Sequence, residues 1–417
     1  MFKKLLTLEE AKQEIRKHFE AKPLGVDEIP LLEAFNRVLA EDVIAEIDIP
    51  PFNRSMVDGY AVKAEDTFRA DENKPVKLKI CGTVNVGEQP KITVERGKAA
   101  EIMTGAPIPQ GADAVVMAEN TVRKDGEVYV YTAVAKDENV MKAGADIKKG
   151  ETVMEKGRVL GAKEIGALAA VGLARVRVYK VPQVAILSTG AEITEPGKPL
   201  EPGKIYDINA YSLSAAVLEC GGKPVFLGVF PDDATAIEKA LKQALAAADA
   251  VITSGGVSVG PKDVVPKTLS LLGKPGVIVC GIATKPGKPT TVAVVDGKPI
   301  FALPGHPTSA LLIFHLLVRP LIMQMAGRKP LEATVVKALA STRMFSAGGR
   351  RTFITVKLKK DKAGLMAEPI PTGLSGAITT LLKADGFIEI QENQQFIDAN
   401  GEVEVHLFKS PAEALTP

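Results

Sequence analysis

Three short segments of this chain each set residues suited to holding anions behind an apolar run. Ala250-Val251-Ile252-Thr253 breaks into Ser254-Gly255-Gly256-Val257-Ser258-Val259-Gly260, with a helix start expected near Asp263. Lys285-Pro286-Gly287-Lys288-Pro289 and Leu303-Pro304-Gly305-His306-Pro307 come after further apolar runs. Glycines at a strand end let backbone N–H groups approach phosphate oxygens, and a helix N-terminus behind them adds its dipole. The first loop lacks the Gly-Lys-Ser/Thr ending of a Walker loop and the glycine spacing of a dinucleotide fingerprint, so alone it says little. Together the three segments describe a site. Ser254, Gly255, Gly256 and Ser258 offer donors, Lys285 and Lys288 offer compact positive charges, and Pro304-Gly305 allows close approach where Pro307 opens a helix. An isolated surface lysine usually only solubilises; two on one turn behind a buried strand are harder to set aside.

Carboxylates fall near the same strand ends: Glu192 in STGAE, Asp207 in YDIN, Asp232 and Asp233 in PDD, and Asp263. An acid at a helix start caps orphan N–H groups and complements the dipole. That reading suffices for Asp232, and Asp207 can equally be a cap for the helix after it.

The elements that must position these residues can be read from periodicity. Between Val181 and Gly327, strand and helix patterns alternate, which implies a mostly parallel sheet with ligands beyond the carboxyl ends of its strands. Asp296-Gly297 between TTVAVV and PIFALPG signals a hairpin and hence one antiparallel addition. A long helix is expected over Thr308 to Met325. Thr7-Leu8-Glu9-Glu10 reads as a capping box opening a helix, and Leu32, Phe35, Val38 and Leu39 suggest a second one. Short alternating runs broken by Gly and Pro make 53–146 β-rich, and β texture returns after residue 328. The fold class is therefore multidomain α/β plus β. A central α/β sandwich domain (181–327) is flanked by a β-rich domain (53–146), a C-terminal β-barrel-like domain (328–417) and a discontinuous helical linker domain (1–52 with 147–180).

Bulk properties exclude some functions. At 417 residues with 46% hydrophobic and 24% charged content and a net charge of +2, the chain lacks the broad basic surface of a nucleic-acid binder. Few aromatics (5%, no Trp) disfavour base-stacking platforms. Cys81, Cys220 and Cys280 have neither disulfide nor zinc spacing, and the charged first residues suggest neither a signal peptide nor a membrane span. A cytoplasmic location, with no nucleic acid and no membrane as partner, is the expectation.

With PPFNRSMVDGYAV (50–62), IMTGAPIPQGADAVVMAE (102–119), STGAE, IYDIN, SGGVSVG, KPGKP and LPGHP in view, the chain resembles the molybdopterin molybdenumtransferases. This is the MoeA family, whose relatives include the E domain of gephyrin. The resemblance runs nearly end to end. It implies four domains, the third sharing the fold of molybdopterin adenylyltransferases, and an elongated homodimer. It further implies molybdate insertion (tungstate being the other candidate) into adenylated molybdopterin with release of AMP, with molybdopterin adenylyltransferase as the upstream donor. By the same resemblance Asp58, Glu192 and Asp263 are the catalytic candidates, Asp58 facing the cleft from the partner subunit. Asp233 and Asp263 would hold a phosphate-bound Mg²⁺, Thr104 is a weaker site candidate, and Arg351 with Ser375 would join a lysine around the oxyanion. The match could equally be drawn through Arg350. For an arbitrary Asp-Gly such as Asp58-Gly59, a turn is the ordinary reading. Three departures stand out: Gly281 where some members carry lysine, Met141 where arginine is common, and His306 in place of an asparagine. Two competing readings are a dimeric scaffold of the gephyrin type and another nucleotide-pyrophosphate hydrolase on the same α/β fold.

Overall fold

The computed structural model describes residues 5–257, 264–329, 334–361, 364–370 and 378–408; Ser258, Asp263 and Ser375 lie outside the described residues. The chain divides into two compact units, Glu28–Phe35 with Glu41–Val176, and Met1–Asp27 with Asn36–Ala40 and Arg177–Pro417.

The smaller unit is built on a six-stranded mixed sheet. Gly59–Val62 lies between Ala114–Met117 and Lys98–Ile102, and the sheet continues through Val76–Val84 to the hairpin of Glu127–Val130 and Thr121–Lys124. Period-2 alternation fills both faces: Tyr60, Val62, Val116 and Val128 pack on one, Ala61, Val115 and Ile102 on the other. The helix Ala162–Ala170 buries Leu168. The second helix expected around Leu32 and Leu39 is not formed. Only one 3₁₀ turn, Leu31–Ala34, appears, and Leu32 and Phe35 are 86% and 65% exposed. Asn36, at φ 62°, takes the left-handed conformation that ends a helix.

The larger unit contains a three-layer α/β sandwich. Its elements are β1 (Gln183–Thr189), α1 (Asn209–Glu219), β2 (Lys223–Phe230), α2 (Ala234–Ala247), β3 (Ala250–Ser254), α3 (Val265–Leu271), β4 (Pro275–Cys280), β5 (Thr291–Val295), β6 (Lys298–Leu303) and the continuous helix α4 (Pro307–Met325). The sheet order is β2-β1-β3-β6-β5-β4. β1 pairs parallel with β2 and β3, β3 parallel with β6, and β5 antiparallel with β6 and β4, so β5 is the one reversed strand. Asp296 and Gly297 both have positive φ, 50° and 79°, the geometry a two-residue hairpin turn needs. Alternate residues of β1 and β3 face opposite layers. Val184, Ile186 and Ile252 pack with Leu213 of α1 and Ile313 of α4, while Ala185, Leu187 and Val251 pack with Ile237 and Leu241 of α2. Each fully buried Val, Leu or Ile among them contributes about 1.5–3 kcal/mol. Helix α4 is long and apolar enough to cross a membrane, but most of it is buried in this core.

The Thr7–Glu10 capping box is formed and opens the helix Leu8–His18. The sequence reading sets this helix beside the 147–180 return. The structure instead packs its Leu8, Ala11 and Ile15 in the α/β core with Val279 and Ile282. Five C-terminal strands, Val335–Ala340, Arg351–Asp361, Gly364–Pro369, Gly386–Ile390 and Glu402–Leu407, pair in a closed ring. Thr284–Lys285 adds alongside Arg351–Asp361.

Candidate active site

The strands β1, β3 and β6 end in register: Ser188 lies opposite Ser254, and Ser254 opposite Leu303. The turns at these three strand ends, Thr189-Gly190, Gly255-Gly256 and Pro304-Gly305, therefore converge at the carboxyl edge of the sheet. A cleft of about 440 Å³ opens there, and Glu192, Asp207, Asn209, Asp232 and Pro307 also line it. Glycine is required at the centre. Gly255 and Gly256 have φ of 94° and 63°, and a Cβ on Gly255 would stand 2.3 Å from the Thr189 carbonyl oxygen. The Gly255 N–H is already donated to Leu303 O at 3.2 Å, so that amide is spent on joining the loop to β6.

The floor of the cleft is rich in oxygen acceptors. Asp207 is 3% exposed; its Oδ1 accepts the Ala210 N–H at 3.0 Å, capping α1. Its Oδ2 is buried with no partner among the described residues, as are Ser188 Oγ, Thr189 Oγ1 and Asn209 Oδ1. A buried polar atom left unpaired costs about 1–3 kcal/mol, so such a group of orphans marks where a ligand's donors or a cation belong. Asp207 thus supplies the cap that its place ahead of the helix allows.

The adjacent aspartates divide their work. Asp233 caps α2, its Oδ1 accepting the Ala236 N–H at 2.9 Å, whereas Asp232, read from sequence as the structural one, lines the cleft. Asp232 Oδ1 comes within 3.6 Å of the place a Cβ on Gly256 would occupy. The signal for choosing Asp232 is positional: the residue at the strand end reaches the ligand edge, and the next one caps the helix.

A hard cation suits this donor set. Mg²⁺ takes one or two carboxylates and completes its shell with phosphate oxygens and water, and Asp207 Oδ2, Asp232 and Glu192 are the carboxylates at hand. Among the described residues no three His, Cys, Asp or Glu side chains form a metal-holding group, so an ion here would depend on oxygens brought by a ligand.

A second cavity of about 330 Å³ is lined by Lys285, Pro286, Thr308, Phe345, Thr352 and Thr355, among others. The hydroxyls of Thr308 and Thr355 are buried without partners among the described residues. Lys285 has no ion-pair partner among those residues either, while Arg343 on the rim is bonded to Asp398 at 2.8 Å and lies over the Phe396 ring. The two cavities share walls. The turn 285–289 gives Lys285 to one and Pro289 to the other, and the start of α4 gives Thr308 to one and Pro307 to the other.

Arg351 is placed differently from expectation. Its guanidinium is enclosed by Glu9 (3.3 Å), Glu389 (3.2 Å) and Glu392 (3.0 Å) with only 14% of the side chain exposed, so three carboxylates already compete for it. Among the described residues no carboxylate pairs with Arg350. Two departures also find structural reasons. Gly281 has φ 83°, a conformation strained for lysine, and Met141 pairs across strands with Arg54, whose Nη2 lies 3.3 Å from its sulfur. An arginine at 141 would face a like charge.

In the smaller unit, Asp58 and Thr104 meet. Asp58 Oδ1 accepts both the Thr104 N–H (2.7 Å) and its hydroxyl (2.9 Å). These bonds, the backbone one foremost, hold the exposed Asp58 carboxyl below the usual range. Gly59 is no turn residue. It begins a strand so close to its neighbour that a Cβ would sit 1.9 Å from the Val116 carbonyl oxygen.

A glycine loop at parallel-strand ends, ringed by carboxylates, defines an α/β domain of the anion- and cofactor-binding kind, and comparison makes the class definite: residues 185–324 match the probable molybdopterin binding domain. The flanks match the MoeA N-terminal region (domain I and II) over 6–172 and the MoeA C-terminal region (domain IV) over 337–408. The molybdopterin molybdenumtransferase of Nostoc sp. is 38% identical over 78% of this chain and 76% of its own. That of Haemophilus influenzae is 34% identical over 97% and 99%. A solved molybdopterin biosynthesis moeA protein from Pyrococcus horikoshii superposes with a TM-score of 0.85 at 44% identity, covering 98% of this chain and 100% of that one. The chain belongs to the MoeA family, the molybdopterin molybdenumtransferases, enzymes of molybdenum cofactor biosynthesis.

Proposed function

We propose that this enzyme inserts molybdate into adenylated molybdopterin and releases AMP, using the two cavities for the two halves of the reaction. The observation that carries this reading is their common partition. A ligand whose phosphates lie against Gly256 and Pro304-Gly305 has its next few atoms beside the 285–289 turn, with the Lys285 ammonium and the Thr308 hydroxyl beyond. Molybdate is a tetrahedral dianion, and an unpaired lysine with buried hydroxyls complements it. Arg350 is the arginine at liberty to join them, and Ser375 keeps its place as a candidate.

Catalysis on this reading is positioning and charge neutralisation. The glycine loop and the start of α4 orient the phosphoryl groups, Glu192, Asp207 and Asp232 orient donors of the ligand, and Lys285 offsets charge as the oxyanion enters. Mg²⁺, when bound, would neutralise charge on the departing phosphate, with Asp207 and Asp232 as the holders and Asp263 as a further one. Asp58, kept ionised by Thr104, is proposed to act from the partner subunit of a homodimer, and a molybdopterin adenylyltransferase is proposed to supply the substrate in the cytoplasm. The test supplies purified protein with adenylated molybdopterin, Mg²⁺ and molybdate. AMP is expected in proportion to cofactor formed. AMP release that ignores molybdate would instead make this a plain pyrophosphate hydrolase, and no AMP at all would exclude both.

A further inference from the structure

Asn209 opens α1 inside the cleft wall and is 6% exposed. Its Nδ2 lies 2.8 Å from the Gly305 carbonyl oxygen and 2.6 Å from Ser254 Oγ. A carbonyl oxygen only accepts, so the amide nitrogen must face Gly305, and this fixes which way the side chain points. Both Nδ2 protons are then used, one on each partner. The residue ties the end of β3 to the turn after β6.

The bond to Ser254 has a chemical consequence. Ser254, last residue of β3 and 3% exposed, lines the cleft. Its oxygen accepts from Asn209, and its own proton is given to no acceptor among the described residues. A serine hydroxyl has one proton and two lone pairs; with a lone pair engaged from behind, it is presented to a ligand as a donor. Phosphoryl oxygens are dense acceptors and match such a group.

We infer, resting on the proposed function, that Asn209 is a positioning residue: its amide sets the Ser254 hydroxyl as a hydrogen-bond donor to a phosphoryl oxygen of the bound adenylate. The Asn209 Oδ1 is an acceptor and cannot bond a phosphoryl oxygen, so toward the phosphate Asn209 acts only through Ser254.

The test measures AMP binding to the full chain by calorimetry. Asn209→Ala and Ser254→Ala are each expected to weaken AMP by about 10-fold, the scale of a hydrogen bond to a charged group. The double variant is expected to stay near 10-fold, because the two losses are one interaction. A combined loss near 100-fold would overturn the inference. Asn209→Asp, nearly isosteric and so suited to a case where the alanine variant unfolds, adds a pH profile. Its deficit against the parent at the same pH should shrink from pH 8 to pH 5, since a protonated carboxyl regains a donor. A pH-independent deficit would mean a merely structural role. If the parent itself does not bind AMP, the proposed function falls and this inference with it; if the parent binds and the losses multiply, only the inference falls.

Discussion

The cleft at the carboxyl edge of the sheet and the cavity beyond the 285–289 turn are neighbours with opposite chemistry. The cleft is made of backbone turns and carboxylates, with four buried oxygen atoms that have no partner among the described residues. The second cavity is largely apolar and, among the described residues, carries one ammonium group without an ion pair, that of Lys285, and two buried hydroxyls without partners, those of Thr308 and Thr355. A site for one polyanion alone has no need of this contrast. It suits a ligand that brings its own cation to one side and receives an anion on the other.

The sharpest way to break the comparison is to change one charge on each side. Asp232→Asn is expected to lower turnover about 10²–10³-fold, the range for losing one preorganised electrostatic contact, with little change in the molybdate concentration giving half-maximal rate. Lys285→Ala should do the reverse: a rise of about 10-fold in that concentration, from the loss of one charge-assisted bond, and a smaller fall in the maximal rate. Steady-state kinetics with molybdate as the varied substrate reads both. If the two variants shift the same parameter, the division of labour between the cavities is wrong.

The arginine pair sharpens the oxyanion side. Arg351 is ringed by Glu9, Glu389 and Glu392; burial pushes the Glu9 carboxyl up, but Lys12 first and then Arg351 outweigh it and hold it below the usual range. Removing it leaves three like charges together. Arg351→Ala should therefore cost about 2–3 kcal/mol in urea unfolding, less than for a fully buried pair because the glutamates are partly solvated. Arg350→Ala should leave stability within about 0.5 kcal/mol and raise the molybdate requirement. Equal stabilities for the two variants would show that the carboxylate ring does not hold Arg351.

Much of the fold was legible because the sequence alternates cleanly. Val184-Ala185-Ile186-Leu187 and Ala250-Val251-Ile252 are buried on both faces, as parallel strands read, and the Asp-Gly hairpin and the Thr7–Glu10 box come from local chemistry alone. The failures share a cause as well. Leu32 and Phe35 have helical spacing but sit beside Asn36, whose left-handed turn a pattern of apolar residues does not reveal. Asp232 and Asp233 are chemically identical in sequence; which one caps and which one faces the cleft depends on where β2 stops. The resemblance alone makes Arg351 an anion ligand; that Glu9, 342 positions away, is brought against it by tertiary packing is nowhere in the local sequence. The loop glycines Gly255 and Gly256 were the part of the site that local sequence conveyed best; the bond between Asp58 and Thr104, 46 positions apart, was not legible in it.

Behind the second cavity the comparison extends to pH. Phe353, on the cavity wall, packs edge-on against Phe387, which His315 of α4 meets at 5.9 Å. Burial, then the positive charge of Arg319 and the neighbouring His406, push the His315 imidazole down to about 4. Its Nδ1 lies 3.2 Å from Arg319 Nη1, a donor that the neutral ring can receive and a protonated ring cannot. The unfolded chain would bind this proton near pH 6.5, well before the folded one does. Falling pH therefore favours the unfolded chain. Stability from this residue is complete above about 6.5, is lost between 6.5 and about 4, and changes no further below that. Allowing for partial solvent access, the loss is about 2 kcal/mol. His315→Asn keeps an acceptor for Arg319 without titrating, so the difference in unfolding free energy between parent and variant should change by that amount between pH 7 and pH 4.5. A difference that stays flat across this window would mean that the ring titrates alike in both states, and that the wall of the second cavity is wetter than its aromatic packing implies.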